Sequence, residues 1–91
     1  MDLEKIIREK QGTIVDVRTP GEFAIGNIPG SVNIPLKEIS QKVEEIKKLK
    51  TPVLLCCESG ARSDRAYQFL SHQGINCFNG GSWKSLQNKI R

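Results

Sequence analysis

The stretch Pro52-Val53-Leu54-Leu55-Cys56-Cys57, running straight into Glu58-Ser59-Gly60-Ala61-Arg62-Ser63, decides the fold. A continuous apolar run of this length, without polar alternation, reads as a strand covered on both faces, as in a parallel sheet. Glu58-Ser59-Gly60 then turns the chain. Arg62 to Gln73 reads as the next helix, with Ala66, Phe69 and Leu70 inward and Gly74 as a C-cap. A strand that passes through a tight turn into a helix is half of a parallel α/β unit.

The flanking sequence repeats the pattern. Residues 2–10 carry Leu3, Ile6 and Ile7 on one face, which predicts a short amphipathic helix closed by Gly12. Thr13-Ile14-Val15-Asp16-Val17 is a β-branched run between Gly12 and Thr19-Pro20-Gly21, hence a strand. One helical turn fits around Glu22 and Phe23, and a short strand fits residues 31–34. Leu36, Ile39, Val43, Ile46 and Leu49 recur at spacings of three and four, predicting a helix from Leu36 to Lys50 that Pro52 stops. Ile75-Asn76-Cys77-Phe78 reads as a strand and Asn79-Gly80-Gly81 as a loop. Ser82 then caps a last helix carrying Trp83, Leu86 and Ile90. Alternating helices and short strands predict an α/β fold, a small, mainly parallel sheet flanked by helices on both faces and joined by right-handed crossovers. Ligands in such sheets sit beyond the carboxyl ends of the strands, here the loops at 18–22, 57–62 and 79–82.

Composition narrows the classes. The 91 residues make one domain, 1–91, able to bury roughly 60–68% of its unfolded surface. With 37% hydrophobic and 26% charged residues the balance is that of a soluble globular protein. No apolar run approaches the roughly 18 residues of a membrane span. Aromatic residues are only Phe23, Phe69, Phe78, Tyr67 and Trp83, too few for a stacking platform that binds single-stranded nucleic acid. The net charge of +4 favours anionic partners weakly, and the cluster Lys47, Lys48 and Lys50 suits a solvated helix end. Three cysteines cannot pair completely, and vicinal Cys56 and Cys57 point to opposite faces of a strand. With His72 alone beside them, no zinc spacing emerges. Free thiols and a charged N-terminus point to the cytoplasm, and a mature periplasmic form is compatible with the same sequence.

The chemistry concentrates in Cys57-Glu58-Ser59-Gly60-Ala61-Arg62-Ser63. A thiol between a strand and a helix N-terminus faces unpaired N–H groups and a positive dipole end, which favour the thiolate. Gly60 lets the loop close so that successive N–H groups turn inward as an anion nest. Arg62 adds a forked donor for an oxyanion, and Ser63 either caps the helix or bonds to the sulfur. An isolated cysteine at a strand end is usually an inert core residue. Glycine, arginine and serine at these offsets single out Cys57, while Cys56 and Cys77 read as small core residues.

This loop resembles the active-site loop of the rhodanese family of sulfurtransferases, Cys-x-x-Gly-x-Arg-Ser. Asp16-Val17-Arg18, Glu22-Phe23 and Gly26-Asn27-Ile28-Pro29-Gly30-Ser31-Val32-Asn33-Ile34-Pro35 are similar to the family's first signature. Gly80-Gly81 and Trp83 are similar to its closing glycine pair and aromatic, so the likeness spans roughly residues 13–86. Two departures stand out. The family commonly has Gly-His-Ile where this chain has Gly26-Asn27-Ile28, so any bond made by that histidine is changed or lost. Many relatives also begin with an additional edge strand, and the sheet here is expected to be one strand smaller.

The resemblance implies a single-domain thiosulfate sulfurtransferase without metal or organic cofactor. Cys57 takes sulfane sulfur from thiosulfate or a related anionic donor, holds it as a persulfide against the loop, and passes it to cyanide or a thiol, including a protein thiol. Arg62 binds the donor. Four residues separate Cys57 from Arg62 where phosphatase relatives have five, which favours sulfur over phosphate. The resemblance assigns Asp16 and Arg18 to supporting the loop; the alternative is an ordinary exposed ion pair. Glu22 has Arg18 or Arg62 as a partner, or is a solvated carboxylate. Trp83 is a core residue at the pocket edge, and His72 is exposed. A persulfide carrier or protein-binding module in a sulfur relay is the alternative function, and a Cys56–Cys57 redox module a third.

Overall fold

The computed structural model describes residues 3–9 and 11–90. Four parallel strands, β1 (Thr13–Asp16), β2 (Val32–Asn33), β3 (Val53–Cys57) and β4 (Cys77–Ser82), form one sheet in the order β2-β1-β3-β4. Around them run helices α1 (Leu3–Arg8), α2 (Pro20–Ile25), α3 (Val43–Lys47), α4 (Ala61–His72) and α5 (Trp83–Lys89). Of the helix expected over residues 2–10, Asp2, Lys10 and the Leu3 side chain lie outside the described residues.

The central strand behaves as its sequence dictates. All five residues of β3 are buried, and its side chains alternate between two cores. Val53, Leu55 and Cys57 pack with Val15 and Val17 against Ile39, Ile46, Ala66 and Leu70. Leu54 and Cys56 pack with Ile14 on the opposite face, against Leu86, Ile6, Ile7 and Ile90. Helices therefore cover both faces, as the unbroken apolar run requires. The vicinal cysteines fall into different cores.

Two sequence expectations change. The helix expected over Leu36–Lys50 is a 3₁₀ helix, Leu36–Gln41, followed by α3. Lys42, at φ −117° and ψ 19°, separates them. Leu36 and Ile39 are three apart, a spacing that stacks side chains in a 3₁₀ turn, so the apolar pattern survives a change of helix type. The loop expected at Asn79–Gly81 is strand instead, since β4 continues to Ser82. The glycines permit this. A Cβ on Gly80 would stand 3.1 Å from the Leu55 carbonyl, and Gly81 takes φ +85° in a bulge that shifts the register between Leu55 and Cys57. The bulge brings Ser82 opposite Cys57.

β2 lies on one side of β1 while β3 and β4 lie on the other, so the winding reverses between β1 and β3. Beyond the carboxyl ends of these two strands a crevice forms. Arg18 and the Cys57 loop both emerge there. No helix among the described residues is long and apolar enough to cross a membrane.

Candidate active site

The sulfur of Cys57 lies beneath the turn between β3 and α4. It accepts a hydrogen bond from the Gly60 N–H at 3.0 Å and another from the Ser63 N–H at 3.4 Å. Gly60, the N-cap of α4, adopts φ +98°, a conformation only glycine reaches without strain, and this aims its N–H at the sulfur. Ser63, in the first turn of α4, supplies one of the N–H groups that a helix start leaves without an intrahelical partner. The sulfur thus does the work of a capping side chain. The Ala61 N–H turns instead to the Ser59 hydroxyl at 3.4 Å, so the ring of inward donors is partial.

Burial pushes the Cys57 thiol up, but the Ser63 hydroxyl and the N–H groups of Ser63, Gly60 and Ser59 outweigh it and hold it below the usual thiol range. The other two cysteines behave oppositely. Burial, aided by the Asp16 carboxylate, pushes Cys56 up to about 12, and burial also raises Cys77. Among the three free thiols, Cys57 alone is held below the usual thiol range.

Ser63 sits at the centre of a small polar network. Its hydroxyl lies 3.4 Å from Cys57 Sγ, 3.1 Å from the Gly60 carbonyl and 2.6 Å from Asn79 Oδ1. Asn79 Nδ2 donates to the same Gly60 carbonyl at 3.1 Å, and Asn79 Oδ1 accepts from the Gly81 N–H at 3.0 Å. The sequence reading placed Asn79 in one of the three loops beyond the strand ends but gave its side chain no role. Its position three residues before an N-capping serine, directly after a short apolar strand, was the available signal.

Asp16 and Arg18 form a buried pair at the end of β1. The Asp16 side chain is fully enclosed and accepts from the Arg18 backbone N–H at 3.0 Å and from its guanidinium at 2.7–3.0 Å. Arg18 also donates to the carbonyls of Gly26 at 2.7 Å and Glu22 at 3.3 Å, tying β1 to α2. Its guanidinium lies 4.6 Å from the Trp83 ring centre. Glu58, from the loop itself, approaches Arg18 at 3.9 Å and the Trp83 indole N–H at 3.4 Å. Trp83 is half-buried, packed against the core around Leu54 and Cys56 and bracketed by Arg18 and Glu58. The structure buries the Asp16–Arg18 pair rather than exposing it.

Glu22 pairs with Arg62. Two hydrogen bonds of 2.7 and 2.9 Å join the carboxylate to the guanidinium end-on, so the fork expected to meet a donor anion is already filled. A capping box fixes Glu22: its carboxylate accepts from the Thr19 N–H at 3.0 Å, and the Thr19 hydroxyl accepts from the Glu22 N–H at 3.3 Å. Arg62, followed by the Thr19 contacts, holds the Glu22 carboxyl down at about 2. Asn27 donates to the Phe23 carbonyl at 2.8 Å, closing α2. His72 is exposed, with Nδ1 2.7 Å from the Gln68 carbonyl. Among the described residues no three His, Cys, Asp or Glu side chains gather as metal ligands.

A cleft of about 250 Å³ adjoins Arg62, walled by Val17, Pro35 and Leu36 with Thr19 and Lys37 at its rim. A larger cavity of about 580 Å³, among Ile7, Ile14, Leu54 and Ile90, lies toward the amino ends of the strands and includes no residue of the Cys57 loop.

Residues 1–89 match the family described as the rhodanese-like domain. A sulfurtransferase of Allochromatium vinosum is 43% identical over 61 residues, covering 67% of this chain and 56% of the relative. The thiosulfate sulfurtransferase PspE of Escherichia coli K12 is 30% identical over 74 residues, covering 79% of this chain and 71% of the relative. The chain spans about half the length of some curated relatives it matches. The crystal structure of a rhodanese-related protein from Thermoplasma volcanium superposes with a TM-score of 0.82 at 35% identity, covering 97% of this chain and 86% of that one. A parallel sheet with a cysteine cradled at the β3–α4 turn and a family match across nearly the whole chain lead to one conclusion: this chain belongs to the rhodanese-like domain family.

Proposed function

We propose that residues 1–91 act as a single rhodanese-like domain that transfers sulfane sulfur through a persulfide on Cys57. The observation that carries this reading is the sulfur of Cys57 held by the N–H groups of Gly60 and Ser63, in a site that keeps its thiol below the usual range. The Cys57 thiolate attacks the outer sulfur of thiosulfate or a related donor. The donor's S–S bond breaks and its electron pair leaves with sulfite. A cyanide or thiol acceptor then takes the outer sulfur and restores the thiolate. Loop N–H groups, fixed before reaction, stabilise the negative persulfide, a preorganised field of the oxyanion-hole kind.

Gly60 and Ser63 position the nucleophile; Glu58, Ser59, Ala61 and Arg62 complete the loop. Asp16, Arg18 and Glu22 support it through β1 and α2. The chemistry needs no metal or organic cofactor, nucleic acid or membrane, and suits a reducing compartment such as the cytoplasm. Incubation with a sulfane donor followed by intact mass measurement tests the proposal. The protein gains one sulfur, and the Cys57→Ser variant gains none. No gain, or a gain that survives in the variant, overturns it.

A second reading, a persulfide carrier that loads but seldom turns over, is favoured by the complete burial of Cys57 and the occupied Arg62 fork. Thiocyanate production separates the two. A carrier acquires the sulfur mass yet yields negligible thiocyanate from thiosulfate and cyanide.

A further inference from the structure

Each arginine at the mouth of the Cys57 loop is already matched by a carboxylate. Asp16 holds the Arg18 guanidinium, and Glu22 holds the Arg62 fork through two bonds of 2.7 and 2.9 Å. Glu58, exposed on the loop, adds a further negative charge 3.9 Å from Arg18. The Glu22 carboxylate is not a side chain that swings away freely, because Thr19 binds it through both its N–H and its hydroxyl at 3.0 and 3.1 Å. Its low titration keeps it ionised across the physiological range. Among the described residues, a donor carrying two negative charges beside the Cys57 thiolate therefore meets guanidinium groups whose charge a carboxylate already balances, with the end-on fork of Arg62 taken by Glu22. The cleft beside Arg62 is instead mainly apolar, walled by Val17, Pro35 and Leu36, and Lys37 provides one cation at its rim. That lining suits an organic group attached to the sulfur donor.

We infer that Glu22 is a specificity-determining residue: by occupying the Arg62 fork it selects against dianionic sulfane donors and in favour of singly charged donors with an organic substituent. The inference rests on the sulfur-transfer reading and narrows its donor class. For a thiosulfonate, R–SO₂–S⁻, Cys57 Sγ attacks the terminal sulfur and the bond from that sulfur to the sulfonyl sulfur breaks. The electron pair leaves with the sulfinate, R–SO₂⁻. The Cys57 persulfide keeps the transferred sulfur and its single charge. The same step with thiosulfate releases sulfite. The two donors thus share one reaction and differ by one unit of charge and one organic group.

The test compares kcat/KM for benzenethiosulfonate and thiosulfate in the native protein and in Glu22→Gln, with one common acceptor. Taking the ratio of donors cancels damage to Cys57 that both reactions share. Glu22→Gln should raise thiosulfate relative to benzenethiosulfonate by roughly tenfold, the scale of one unit charge acting across a half-exposed site. The native protein supplies a second measurement that needs no variant. Added salt screens repulsion between exposed charges, so thiosulfate kcat/KM should rise with ionic strength more steeply than that of benzenethiosulfonate. An unchanged or reversed donor ratio in Glu22→Gln, or a thiosulfate rate that falls with salt, overturns the inference. If Cys57 gains sulfur from neither donor, the sulfur-transfer reading itself fails, an outcome that the intact-mass measurement identifies separately.

Discussion

Replacing Ser63 by alanine should make Cys57 less reactive, and replacing Asn79 by alanine should make it more so. Both shifts come from competition for a proton. The Ser63 hydroxyl has one, and three acceptors surround it: Asn79 Oδ1 at 2.6 Å, the Gly60 carbonyl at 3.1 Å and Cys57 Sγ at 3.4 Å. The Asn79 amide has little choice of orientation, because its oxygen accepts from the Gly81 N–H while its nitrogen donates to the Gly60 carbonyl. While Cys57 is a thiol, the hydroxyl donates to Asn79 and accepts from the S–H. When Cys57 ionises, the proton turns to the sulfur, and Asn79 keeps the Gly81 N–H.

A hydrogen bond to a charged group contributes about 1.5–3 kcal/mol and the neutral bond given up about 0.5–1.5 kcal/mol. Ser63 therefore favours the thiolate by about 1 kcal/mol, or about fivefold in thiolate population below the titration midpoint. The rate of alkylation by iodoacetamide reads this directly. Ser63→Ala should slow it about fivefold at such a pH and move the rate–pH curve upward. Asn79→Ala removes the competing acceptor and should speed it about two- to tenfold, by the same energies. Both variants retain the Gly60 and residue-63 N–H donors. No slowing in Ser63→Ala, or shifts of the same sign in both, would refute the proton count.

Other consequences follow from the charged pairs. Arg18→Ala strands the Asp16 carboxylate, which is fully buried and would keep only the backbone N–H of residue 18 among its present donors. Removing one member of a buried pair costs about 3–5 kcal/mol, measurable by denaturant unfolding; a loss below about 1 kcal/mol would mean that water replaces the guanidinium. Glu22 titrates near 2 in the folded protein against an ordinary 4.5, so its ionised form stabilises the fold. That contribution is complete above the ordinary carboxylate range and fades as pH falls toward 2. The thermal midpoint of Glu22→Gln should accordingly decline less between pH 4.5 and 2 than that of the native protein, and parallel curves would remove Glu22 from the acid response.

Local chemistry made much of the fold legible. The unbroken Val53–Cys57 run required cover on both faces, and the two cores supply it. Gly60, Arg62 and Ser63 at their offsets from Cys57, where a strand meets a helix, singled out the thiol whose environment differs from those of Cys56 and Cys77. Where the sequence misled, the same residue types served two geometries. Asn79-Gly80-Gly81 has the composition of a loop, yet lack of side chains lets it pass close to Leu55 and bulge as strand. The apolar spacing from Leu36 onward suits either kind of helix, and the backbone at Lys42 divides them.

The α/β order, the both-faced sheet and the cysteine at a strand-to-helix turn were thus readable from the chain alone. All of these arise from neighbours along the chain, through side-chain period, turn residues and helix-end donors. The tertiary structure alone decided the pairing of charges. Glu22 and Arg62 lie forty residues apart in sequence and meet only because β1 and β3 are adjacent, with α2 and α4 springing from their carboxyl ends. Asn79 reaches Ser63 only because β4 bulges beside β3. An ion pair or a shared proton depends on distances of a few ångströms, and no periodicity in the chain encodes them.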